Sequence, residues 1–157
     1  MYDQALSILD ISNYLSEWLA KQYPTPTAHS LAEQFAIHVV MSNSLPNRGD
    51  LNLRAEYFGN PPTITFYMKS IDTWHEQIVL EEPHLDIPPQ KLTEICIFHE
   101  IIHHILLYPS TIFPQSYLID IYPLKRTEQE AIAQILTRDW LSQRFPEYNT
   151  LVENIIK

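Results

Sequence analysis

The chain of 157 residues contains two glycines, Gly49 and Gly59, and a single cysteine, Cys96. So little glycine excludes a Gly-rich phosphate loop and a dinucleotide fingerprint, since both need backbone that only glycine supplies. A lone cysteine excludes an internal disulfide and any zinc site built from several thiolates. Cations are scarce as well: ten Lys and Arg stand against nineteen Asp and Glu, a formal net charge of -9. A surface built to neutralise phosphates needs clustered basic residues, so no direct nucleic-acid binding is expected. No apolar run approaches the length of a membrane span. The first twenty residues carry Asp3, Asp10 and Glu17 with no basic residue before Lys21, the reverse of a secretory signal. These absences lead us to expect a cytoplasmic protein with no membrane partner.

Enough apolar residue is present to build a core. Hydrophobic residues make up 45% and charged residues 18% of a chain about one domain long. Ile11, Tyr14, Leu15, Trp18 and Leu19 fall at helical spacing and predict a helix over residues 3–22, ended by Pro24-Thr25-Pro26. Ser30, with Glu33 three residues on, reads as the cap of a short helix through Phe35. The β-branched stretch around Val39, and the segments Leu51 to Phe58 and Thr63 to Met68, predict three strands, with Asn60-Pro61-Pro62 as a turn. Three strands joined by short loops suggest a small antiparallel sheet packed against helices, an α+β fold. Further helices are predicted from Ser70 to Leu80, from Pro89 to Leu107 and from Thr127 to Arg144. The segment between Pro109 and Leu124 is irregular, and Thr150 with Glu153 marks a short C-terminal helix. No boundary divides the chain, so residues 1–157 are read as one domain with a core over about 30–145.

The chemistry is concentrated in the predicted helix through Pro89–Leu107. His99 and His103 lie one turn apart on one face, so both imidazoles can reach a single ion, and Glu100 sits beside them. A zinc ion with an open position lowers the pKa of water to about 7 and polarises a carbonyl. A neighbouring carboxylate can then act as general base. A third histidine ten residues after His99 is excluded, because that position is Pro109. Asp120, Glu128 and Glu130 remain as third-ligand candidates. On a helical wheel, Ala131, Ile132, Ile135, Leu136 and Trp140 mark the buried face of the Thr127–Arg144 helix. Glu128 falls within that arc and Glu130 nearly opposite. A buried carboxylate needs a partner, which a metal or a Lys or Arg can be, so Glu128 is the expected ligand and Glu130 is read as solvated. His104 reads as a packing residue or a hydrogen-bond partner behind the site. Cys96 reads as a small buried hydrophobe, or as a thiol that blocks the metal. Tyr117 and Tyr122 are alternative donors for an oxyanion.

His99-Glu100-Ile101-Ile102-His103 followed by Glu128-Gln129-Glu130-Ala131 resembles the ImmA/IrrE family of bacterial metallopeptidases. In that family an HExxH helix is followed by an E-x-E-A-N element whose first Glu completes the zinc site. The resemblance covers about residues 30–145. It implies a zincin-like core, Zn2+ held by His99, His103 and Glu128, and Glu100 as general base. It also implies a protein substrate, typically a helix-turn-helix repressor. Ile102 stands where the family usually has Gly, and Ile132 where it usually has Asn. The missing Asn leaves another group to orient the imidazoles, with Asp120 the candidate. It also leaves an alternative function, a catalytically weak or inactive peptidase-like module that binds a repressor or another protein.

Overall fold

The computed structural model describes residues 7–24, 27–46, 49, 51–85 and 87–144. The predicted C-terminal helix at Thr150 and Glu153 lies outside these residues.

Helix α1 spans Ile8–Gln22 and opens with a capping box. The Ser7 hydroxyl accepts from the Asp10 N–H at 3.1 Å, and the Ser7 N–H donates to the Asp10 carboxylate at 3.3 Å. Its buried residues Ile11, Leu15 and Leu19 recur every fourth position and form the stripe that packs on the core. Helix α2, Ala28–Gln34, is capped by Thr27, whose hydroxyl accepts from the Ser30 N–H at 3.1 Å. The expected cap at Ser30 is therefore displaced by three residues: Ser30 lies inside the helix, and the Thr27 oxygen takes its amide.

Strands β1 (His38–Ser42), β2 (Ala55–Gly59) and β3 (Pro62–Tyr67) form one sheet in the order β1-β3-β2. The tight turn at Asn60 and Pro61 makes β2 and β3 an antiparallel hairpin. β1 pairs with the far side of β3 and runs parallel to it. The sheet is thus mixed, where strand count and short loops suggested an antiparallel one. The long link from β1 to β2 lets the hairpin insert its second strand between them. Central β3 buries Ile64 and Phe66 against the helices, while β2 is an edge.

β3 runs into helix α3, Met68–Glu81, without a loop, and α3 buries Ile71, Trp74 and Ile78 on one face. Helix α4, Pro89–Leu107, starts with proline at its first position, where the missing N–H costs nothing. A short 3-10 turn at Pro109–Thr111 and helix α5, Gln115–Ile121, give structure to the segment expected to be irregular. Helix α6, Arg126–Arg144, completes the described chain. α4 lies at the centre, in contact with α2, α3, α6 and both β2 and β3. Phe98 of α4 stacks on Trp140 of α6 with ring centres 4.8 Å apart. The fold is α+β, and no helix among the described residues is long and apolar enough to cross a membrane.

Candidate metal centre

Because α4 is buried by neighbours on nearly every side, its polar residues have few places to go. Ile97, Phe98, Ile101, Ile102 and Ile105 fill the core, leaving one stripe for His99, Glu100 and His103. These three side chains are only 18%, 14% and 16% exposed. They open into a cleft of about 510 Å³ between α4, α6 and the β2 edge. One helical turn places the two imidazoles at a centroid distance of 5.1 Å with their Nε2 atoms 3.4 Å apart. Two lone-pair nitrogens facing each other so closely need a cation or a proton between them.

The third group comes from α6. Glu130 places one carboxylate oxygen 2.9 Å from His103 Nε2 and the other 3.2 Å from His99 Nε2. Glu100 stands further back, its nearer oxygen 4.0 Å from His99 Nε2. The ligand-capable atoms of His99, Glu100 and His103 fall within 4.8 Å of one another, so the cluster is compatible with a metal ion. Glu130 is the closer carboxylate to both imidazoles, with Glu100 at 4.0 Å from His99 Nε2 against 3.2 Å for Glu130.

Glu128, the expected ligand, is elsewhere. α6 begins at Arg126, so Glu128 lies in its first turn and accepts the Lys125 N–H at 2.9 Å. This is the carboxylate half of a capping box, favoured further by the positive end of the helix. The buried face of α6 is also rotated from the one expected. It carries Ile132, Ala133, Leu136, Thr137 and Leu141, all between 0% and 2% exposed. Glu130 precedes Ala133, Thr137 and Leu141 by three, seven and eleven residues. It therefore flanks the stripe that meets α4 and reaches the cleft, while its side chain stays 43% exposed. A polar stripe was there to be found, since Arg126, Gln129, Glu130, Gln134 and Thr137 repeat at helical spacing and all line the cleft.

The supporting residues are rearranged too. Asp120 is half-buried on α5 and does not border the cleft, so it does not orient the imidazoles. Tyr117 packs edge-on against Tyr14 of α1, and Tyr122 is 60% exposed; neither lines the cleft. α5 turns its aromatic residue toward α1, which removes both tyrosines from the site. Missed by the pattern in the sequence were Tyr57 and Glu56 of β2 and Arg126 of α6, all of which border it. A strand gives no spacing signal tying its residues to a helix forty positions away. His104 joins Tyr57 through a 2.6 Å hydrogen bond between its Nδ1 and the tyrosine hydroxyl, and so ties α4 to the cleft wall. Cys96 is buried, and burial pushes its thiol up to about 12, so it stands as a neutral hydrophobe at pH 7. Ile102 and Ile132 are both fully buried in the core and neither lines the cleft.

The charges suit cation binding. Burial pushes Glu100 up to about 7; the nearby His99 opposes this, while Glu130 and Glu56 add to it. Burial, together with repulsion from His99, drives His103 down to about 4, so it is neutral at pH 7. The hydrogen bond with His99 and the charges of His103, His99 and Arg126 hold Glu130 at about 2 against its own burial, so it is ionised. A neutral imidazole and a carboxylate are the protonation states a divalent metal requires. Compared with known proteins, the chain matches no family model, no curated protein and no solved structure.

Proposed function

We propose that the protein is a zinc-dependent peptidase, with His99, His103 and Glu130 as metal ligands and Glu100 as general base. The observation that carries this reading is the Glu130 carboxylate, which reaches both Nε2 atoms of the α4 pair at 2.9 and 3.2 Å. Zinc–nitrogen bonds of about 2.0–2.1 Å at a tetrahedral angle put two nitrogens about 3.3 Å apart. The observed 3.4 Å between His99 and His103 fits that span, and so do the two contacts of Glu130. Two imidazoles and one carboxylate leave one tetrahedral position open, the ligand count of catalytic zinc rather than structural zinc.

A bound zinc ion would supply a carbonyl-polarising charge and lower the pKa of water toward 7. Glu100, held near neutrality by burial, takes the proton of the attacking water and passes it to the leaving amine. Tyr57 and Arg126 border the cleft as donors for the oxygen that gains charge, in place of Tyr117 and Tyr122. Residues 52–57 also line the cleft, and β2 has β3 on one side and no strand on the other among the described residues. An extended peptide can add to such an edge with its backbone across the metal site. By the ImmA/IrrE resemblance, the substrate is a helix-turn-helix repressor; a protein that binds such a repressor without cutting it is the rival.

The test is metal content together with cleavage. Protein expressed with ample metal should hold close to one zinc per chain, and E100Q should keep the zinc while losing about 10²- to 10⁴-fold in cleavage of a repressor substrate. Zinc far below one equivalent sinks the metal site. Full zinc with equal, negligible cleavage by wild type and E100Q points to the binding module.

A further inference from the structure

We propose that Arg54 and Trp74 form an anionic subsite of the cleft, which receives a carboxylate of the peptide substrate beside the bond to be cut. This rests on the peptidase reading of the neighbouring metal site.

Backbone pairing fixes where Arg54 stands. Its carbonyl accepts the Tyr67 N–H at 2.8 Å, which extends the β2–β3 ladder by one residue beyond Ala55 and Phe66. Tyr67 is also the cap of α3, so Arg54 is held beside the first turns of that helix. Ser70 and Trp74 lie one turn apart on the buried face of α3, 0% and 4% exposed. The Arg54 guanidinium carbon sits 4.1 Å from the centre of the Trp74 ring.

Three buried side-chain polar atoms lack a hydrogen-bond partner among the described residues: Arg54 Nε, Ser70 Oγ and Trp74 Nε1. Arg54 and Trp74 line the cleft, whereas Ser70 lies one turn before Trp74 on α3 and does not border it. Buried polar groups are otherwise almost always bonded, so two unpaired donors in one place call for an acceptor. The charge is unmatched too. The ion pairs among the described residues are made by His29, His84, His99 and His103, and none involves Arg54. The titratable group that acts on it is Cys96, a neutral thiol at pH 7. A half-buried cation without an ion-pair partner gains from a counter-charge, and a carboxylate supplies both that charge and hydrogen-bond acceptors. The planar guanidinium fork matches the two carboxylate oxygens. Arg54, Trp74 and Cys96 line the same cleft as His99 and Glu100, so an acid bound there is adjacent to the reacting position.

The experiment uses zinc-loaded E100Q protein, in which peptides bind without turnover, and isothermal titration of three acetylated pentapeptides. One has Glu at its centre and an amide C-terminus, the second has Gln in place of Glu, and the third has Gln with a free C-terminal carboxylate. The proposal expects a carboxylate-bearing peptide to bind on the order of tenfold tighter than the uncharged one. The better of the two identifies a side-chain or a C-terminal source. R54Q should abolish the preference with zinc content unchanged, and R54K, which keeps the charge but not the fork, should retain part of it. Should R54Q fail to fold, R54K and W74F carry the comparison, each with a reduced preference. Equal affinity for all three peptides, or a preference that R54Q and R54K leave intact, overturns the subsite. Failure of the peptidase reading shows separately, as absent cleavage by wild type, and leaves this binding comparison readable.

Discussion

α4 and α6 are nineteen-residue helices packed against each other, and each contributes to the same site by a different route. α4 is buried nearly all round, so its candidate ligands are the few polar residues in an apolar helix and their face is defined by contrast. α6 is half polar, and the ligand proposed from it, Glu130, is one carboxylate among several charged residues. On the first helix burial selects the functional residues. On the second, position along the seam with α4 selects them, and burial misleads. A ligand that lines a wet cleft belongs to the polar stripe of its helix, where a hydrophobic wheel places solvent.

The comparison breaks most visibly at Glu130. E130Q keeps the shape of the side chain but removes the charge facing His99 and His103, and it should weaken zinc binding by more than about 100-fold. Competition with a chromogenic chelator measures this directly. Wild-type affinity in E130Q would mean that α6 gives no ligand and that the metal, if any, is held by α4 alone.

The second prediction concerns α4. Glu100 is pushed up to about 7 by burial, from its ordinary value of 4.5. In the metal-free protein the folded state therefore keeps a proton that the unfolded chain has lost between these two values. Stability falls as pH rises through that window, by about 1.4 kcal/mol per unit and about 3 kcal/mol in all, and stays low above it. E100Q should remove this slope. Urea unfolding of metal-free protein at pH 5 and pH 8 should show the wild type losing stability relative to E100Q at the higher pH. Parallel behaviour of the two proteins would place Glu100 in contact with solvent.

Much of this arrangement was legible beforehand. Proline at the start of α4 and Pro109 after its end bound that helix correctly, and two histidines one turn apart admit a single reading of their face. The α2 cap and the sheet were harder. Ser30 and Thr27 are equally good capping residues, and only the path of the chain chooses between them. Parallel pairing of β1 with β3 depends on a long connection that carries no periodic signal. The placement of Glu128 and Glu130 differs from the expected one for a physical reason. Moving the buried face of α6 from Ile135 to Ala133 and Thr137 brings Glu130 to the cleft and leaves Glu128 at the helix start, and small or hydroxylated residues in a seam do not announce themselves as core. Tyr57 and Arg54 reach the site through the β2–β3 hairpin, across sequence distances that spacing rules do not span.

The smallest effect tests the other half of the comparison, the carboxylate that α6 uses for itself. Glu128 accepts the Lys125 N–H at 2.9 Å in the first turn of α6 and touches neither histidine. E128A should therefore leave zinc affinity within about twofold of wild type while costing about 0.5–2 kcal/mol of stability, the usual loss of a helix cap. The start of α6 also carries Arg126 and Glu130 toward the cleft, so any fraying there should show as the small change allowed within that twofold range. Thermal melts and chelator competition on the same preparation separate the two roles. A large fall in zinc affinity with unchanged stability would return Glu128 to the metal and remove Glu130 from it.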